Sequence, residues 1–130
     1  MTHWVKVINR SRSDRVVLRA RWCATFACRL RGLTFRRSLA ADEGLLLVEG
    51  RETRSGAAIH MLGMFMPLGV AWVATDGRVV DVRLAVPWRL YAPAASAKYT
   101  LEGPPSMLES VAIGDRLEFV DEATSSPAGP

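Results

Sequence analysis

The hydrophobic positions of this chain recur mainly with a period of two, in short runs broken by Gly, Pro, Asn and Asp. That is the signature of short strands joined by turns. The first two runs are residues 4–8 and 16–22, linked by a polar turn at 9–14. In the second, Val16, Leu18, Ala20 and Trp22 alternate with Val17, Arg19 and Arg21, so one face is dry and the other wet. Thr25 stands as the N-cap of a short helix over 26–31, with Phe26 and Leu30 on one side and Gly32 as its stop. Residues 33–39 continue as loop or short helix, Glu43-Gly44 leads into a buried strand at 45–48, and 51–58 form a polar loop.

The longest uncharged run, residues 55–75, ends in a strand that turns at Asp76-Gly77. This dipeptide suits a two-residue type I′ loop, which requires positive φ at both positions. Pairing Thr75 with Arg78 sets Val73 opposite Val80, Ala71 opposite Val82 and Gly69 opposite Leu84 on one apolar face. Trp72 then opposes Asp81, and Val70 opposes Arg83, on a partly solvated face. A run of about 20 residues can cross a bilayer. Gly56, His60, Gly63, Pro67 and Gly69 interrupt this one, however, and Asp76 follows at once, so a buried strand accounts for it and no membrane span is expected. Residues 87–97 read as a Pro- and Ala-rich connection and 98–102 as a strand. Ser106 and Glu109 form a capping box that opens a helix ending at Gly114, and 115–120 are a last strand. The expected fold is mainly β, sandwich- or barrel-like, with two short α-helices. Residues 1–120 form one compact domain and 121–130 a disordered tail.

Composition narrows the class. At 130 residues the chain can bury a core without staples. Its start lacks the apolar stretch of a signal peptide, and two cysteines, Cys23 and Cys28, need form no disulfide framework. A reduced, cytoplasmic protein is expected, the cysteines serving as small buried hydrophobes. The net charge of +4 is uneven: residues 1–54 carry twelve Lys and Arg against five Asp and Glu, the remainder five against eight. The arginines are scattered and have no aromatics interleaved on their face, so no nucleic-acid partner is expected.

Candidate chemistry centres on His60. Together with Met61, Met64 and Met66 it offers imidazole and thioethers, soft ligands suited to Cu(I). Methionine also fills irregular core gaps, and core packing is the favoured reading, with no cofactor expected. As an acid or base, His60 has Asp81, Glu102 or Asp115 as possible orienters and Ser38 or Ser106 as nucleophiles, but no established catalytic motif surrounds any of them.

The order His60-x-x-Gly63-Met64-x-x-Pro67, Asp76-Gly77, Pro87-Trp88-Arg89, Leu101-Glu102 and Gly114-Asp115 resembles the domain-of-unknown-function 192 family, also called uncharacterised protein family 0127. Arg31-Gly32-Leu33, Phe35-Arg36, Leu39 and Glu43-Gly44-Leu45 extend the likeness, which covers about residues 15 to 120. The resemblance implies a compact, mostly β domain and assigns no particular activity to it. Two departures stand out. Phe65 and Gly69 occupy positions where the most similar branch has Arg and Asp, and Gly103-Pro104-Pro105-Ser106 replaces its Leu-Pro-Ala-Gly. The favoured function is a non-catalytic ligand- or partner-binding accessory domain, its pocket near His60, Met64, Trp88, Arg89 and Glu102. The partner, a small molecule or a protein, is unspecified, as is the oligomeric state. The alternatives are an enzyme using His60, a copper site at the His/Met cluster, and membrane-surface association through the basic N-terminal half.

Overall fold

In a computed structural model of the protein, residues 3–25, 28, 40 and 42–122 are described. Seven strands form one sheet: β1 (Trp4–Asn9), β2 (Arg15–Cys23), β3 (Glu43–Thr53), β5 (Leu68–Val73), β6 (Val79–Ala85), β8 (Ala97–Gly103) and β9 (Leu117–Asp121), in the order β6-β5-β8-β3-β2-β1-β9. Two short strands, β4 (Ile59–His60) and β7 (Leu90–Tyr91), pair separately. All ladders are antiparallel except β2–β3, which is parallel and so requires a crossover instead of a tight turn.

The sheet curls until its outer strands meet at one end. Arg78 bridges Arg116, the Val79 amide donates to the Asp115 carbonyl at 2.8 Å, and the Leu117 amide donates to the Gly77 carbonyl at 2.7 Å. Gly77 permits this approach: its φ is 94° and a Cβ there would lie 2.5 Å from the Leu117 carbonyl oxygen. The result is a half-barrel with a core on each side of the sheet. Val5, Val7, Leu18, Ala20, Leu46, Ala71, Val73, Leu101 and Leu117 fill the inner face. Leu45, Leu47, Leu68, Val70 and Trp72 lie on the outer face, covered by Ala57, Ile59, Met61 and Met64. β5 is buried along its whole length, so the solvated face expected for Trp72 is instead dry. The indole of Trp72 donates to the Ala57 carbonyl at 2.8 Å, which satisfies its one polar atom.

The β5–β6 pairing agrees with the sequence reading at Gly69–Leu84, Val70–Arg83, Ala71–Val82 and Trp72–Asp81. It departs at the turn, where Val73 pairs with Val79, not Val80. The Gly77 amide donates to Ala74 and the Ala74 amide to Arg78. Gly77 has positive φ and Asp76 does not. This is a three-residue loop with Gly in the left-handed position, and a bulge between Trp72 and Val73 restores the expected register.

The two expected α-helices are not supported. After Pro104 the chain forms a 3-10 helix over Pro105–Glu109, with no side-chain cap. Met107 and Ser110 donate to carbonyls three residues back, the tighter 3-10 pattern, so the Ser106–Glu109 capping box does not form. Of the other helix, Cys28 is described, and its amide does donate to the Thr25 hydroxyl at 3.1 Å. The remainder of 26–31, and 33–39, lie outside the described residues. The cysteines are not free thiols: Cys23 and Cys28 form a disulfide with Cα atoms 5.6 Å apart, because the Thr25 turn brings residue 28 back over the strand end. Asp121, assigned to the tail from sequence, still pairs with Val5 in β9; residues 123–130 lie outside the described set.

Candidate functional site

The site expected from the sequence divides into two layers. Glu102 lies beneath, on β8. It pairs with Leu45 of β3 and Val70 of β5, so its side chain shares the outer face of the sheet with theirs. Across the sheet the row reads Arg83, Val70, Glu102, Leu45, Arg21. The nearest cations on that row therefore stand two strands away on either side, roughly 10 Å at the usual strand spacing. Glu102 is 5% exposed. Burial, unrelieved by any hydrogen bond or charge among the described residues, pushes its carboxyl up to about 7. Buried carboxylates are ordinarily paired; among the described residues nothing pairs with this one.

Above it, β4 and β7 hold the other candidates. Ile59 pairs with Tyr91 and His60 with Leu90. The ladder continues irregularly, the Met61 amide donating to the Arg89 carbonyl at 2.7 Å and the Trp88 amide to the Met61 carbonyl at 2.8 Å. Ile59 and Met61 point into the outer core, whereas His60 and Leu62 are exposed, as strand alternation requires. Gly63 has φ 77°, and in the turn that follows the Met64 amide donates back to the Met61 carbonyl at 3.2 Å. This turn drives Met64 into the same core, where it is 3% exposed; Met66 packs against that core from its edge. Trp88 and Arg89 are exposed, Trp88 with a left-handed φ of 69°.

His60, Met64, Trp88 and Arg89 are thus gathered by one small strand pair, and Glu102 lies in the layer that this pair helps to cover. The thioethers of Met61 and Met64 are buried while His60 faces solvent, so the imidazole is turned away from them. Among the described residues no group of three His, Cys, Asp or Glu side chains could hold a metal ion. Two of the three proposed orienters of His60 are engaged elsewhere, and Glu102 lies buried while His60 faces solvent. Asp81 accepts from the Val82 and Ala94 amides. Asp115 accepts from Asn9, Arg12 and the Ala112 amide at 2.9, 3.1 and 3.0 Å, and hydrogen bonds from these groups, with the Arg12 charge, outweigh burial and hold it below the ordinary range. Asn9 is fully buried and also donates to the Ser110 carbonyl. Sequence reasoning missed this clamp of the β1–β2 turn to the last strand, since only the fold brings residues 9 and 115 together.

The departures at Gly69 and Gly103 meet in space. These two residues pair across β5 and β8, and a Cβ on Gly69 would lie 2.9 Å from the Pro104 carbonyl oxygen. Phe65, by contrast, is 49% exposed. Positions 65 and 69 therefore occupy different environments.

Comparison with known proteins follows the same outline. The profile of the DUF192 family, described as an uncharacterized ACR, matches residues 7–119. A UPF0127 protein of Thermococcus kodakarensis is 31% identical over 126 residues, covering 95% of this chain and 79% of its own. One of Pyrococcus furiosus is 35% identical over 115 residues, covering 87% and 97%. Among solved structures, a candidate transcription regulator from Sinorhizobium meliloti superposes with a TM-score of 0.78 at 26% identity, covering 92% of this chain and 94% of that one. A protein of unknown function from Novosphingobium aromaticivorans gives 0.77, also at 26% identity, covering 88% and 84%. With that profile spanning residues 7–119 and relatives above 30% identity over most of the chain, the chain belongs to the DUF192/UPF0127 family.

Proposed function

We propose that the protein is a non-catalytic binding domain that receives a small molecule on the outer face of its sheet, between Glu102 and the β4–β7 pair. One observation carries this reading: a carboxyl, 5% exposed and raised by burial, flanked by Leu45 and Val70 and without a partner among the described residues. Burying such a group destabilises a fold unless a partner arrives, and strongly perturbed carboxyls concentrate at functional sites. The complementary ligand has an apolar body and a head that donates hydrogen bonds or carries positive charge. Met64, Leu68 and Trp72, all in the outer core, supply the apolar surroundings. His60, Trp88 and Arg89 form the rim.

Catalysis through His60 has less support, because no described carboxylate orients its ring and it faces solvent. Nucleic-acid binding, suggested by the Sinorhizobium relative's description, is weakened by the pairing of three arginines of the basic N-terminal half with carboxylates. Arg10 bonds Glu118 at 2.6 Å, Arg12 bonds Asp115 at 3.1 Å and Arg19 bonds Glu122 at 2.9 Å. The same pairing weakens membrane association through that half. No described helix is long and apolar enough to cross a membrane. A reducing cytosol would oppose the Cys23–Cys28 disulfide, so residence there is tested by counting thiols in protein trapped at lysis.

Native mass spectrometry of gently purified protein, compared with the denatured sample and with Glu102→Gln, tests the binding reading. An adduct on the native wild-type ion that disappears in the folded variant is the expected outcome. An apo mass for both, or an adduct that the variant retains, overturns it.

A further inference from the structure

The β4–β7 pair carries more exposed apolar surface than its size warrants. Leu90 is 74% exposed, Trp88 64% and Leu62 48%. The His60–Leu90 pairing and the Met61 hydrogen bonds to residues 88 and 89 place these side chains on one strand pair. Their neighbours Ile59 and Met61 anchor that pair in the outer core, so the exposed side chains project from a fixed base. Trp88 is held at φ 69°, a conformation disfavoured for a non-glycine residue, with its side chain turned to solvent.

Charge defines what this lip fits. Residues 59–75 and 84–92, which build it, contain no Asp or Glu, and Arg89 is their one Lys or Arg. Arg83 adds a second cation beside it, lying over the Tyr91 ring at 5.4 Å. Three such side chains offer on the order of 300–400 Å², about half of what each side of a stable protein–protein interface buries, which disfavours a second copy of the chain. Tryptophan and leucine beside arginine, without carboxylates, match the interface of an anionic bilayer, where indoles settle at headgroup level and cations meet lipid phosphates. We propose that the Leu62–Trp88–Leu90 lip, with Arg89, docks the protein peripherally on an anionic membrane surface.

Co-sedimentation of the full chain with vesicles of phosphatidylcholine, with and without phosphatidylglycerol, provides the test. Retention is expected on the anionic vesicles, falling with salt. The double substitution Trp88→Asn, Leu90→Ser keeps a residue suited to left-handed backbone at 88. It is expected to weaken retention about tenfold or more without lowering the melting temperature, and Arg89→Gln to weaken it on anionic vesicles alone. No retention on either vesicle overturns the proposal, as does equal retention on neutral vesicles or undiminished retention of the double variant. A concentration-dependent dimer abolished by the same substitutions, without vesicle binding, identifies the lip as a self-contact and also overturns it.

Discussion

The residue with the largest electrostatic consequence is Glu102. In the unfolded chain its carboxyl ionises near 4.5, and in the fold it holds its proton to about 7. Between those values the native state binds a proton that the unfolded state has lost, so its contribution to stability falls as pH rises through this window and is flat above it. With each unit worth about 1.4 kcal/mol, Glu102→Gln is expected to stabilise the ligand-free protein by about 3 kcal/mol at pH 8 and to change it little at pH 4. Urea unfolding at the two pH values measures this; equal effects at both would show that Glu102 is solvated. The sequence identifies Glu102 through its place in a family motif. It does not disclose the burial, because that depends on β3 and β5 flanking β8 and on Met61 and Met64 folding over the face.

At the scale of elements, the sequence-derived strands largely correspond to the observed ones, and the hairpin register holds over four pairs. The failures have local causes. Asp76-Gly77 signals a turn, but the loop has three residues, and Gly77 passes against Leu117 where a Cβ would not fit. The capping box fails because the segment after Pro104-Pro105 forms a single 3-10 turn against β5, with Met107 and Val111 directed into the inner core. The contact of Gly69 with Pro104 makes the family's Asp incompatible at this position in this chain. Gly69→Asp is expected to destabilise by about 3 kcal/mol, combining overpacking with a buried carboxyl. Restoring Leu-Pro-Ala-Gly at 103–106 in the same protein should recover part of the loss, and a double-mutant cycle of melting curves reads the coupling. Additive effects would show that the two departures are independent.

For the whole molecule, stability depends on joining the two ends of the chain. The Asn9–Asp115 clamp and the Gly77–Leu117 contact fasten the first turn and the central hairpin to the last strand. Asp115→Ala removes acceptors from Asn9, Arg12 and Ala112 and leaves the buried Asn9 short of a partner. About 2–3 kcal/mol is the expected cost at neutral pH, read by thermal or urea unfolding. Because the folded pKa of Asp115 is lowered, its contribution is present above the ordinary carboxyl range and fades as the pH drops below it; the difference between wild type and variant should narrow in acid. The sequence by itself determined most of the long strands, the places of the turns between them and the family, because alternation and turn residues act over a few neighbours. The tertiary structure decided which strand faces are dry, which arginines are paired, and that Glu102 has no partner among the described residues while Trp88 is exposed. Those outcomes depend on contacts between residues distant in sequence, and the chain specifies them only through the closed sheet.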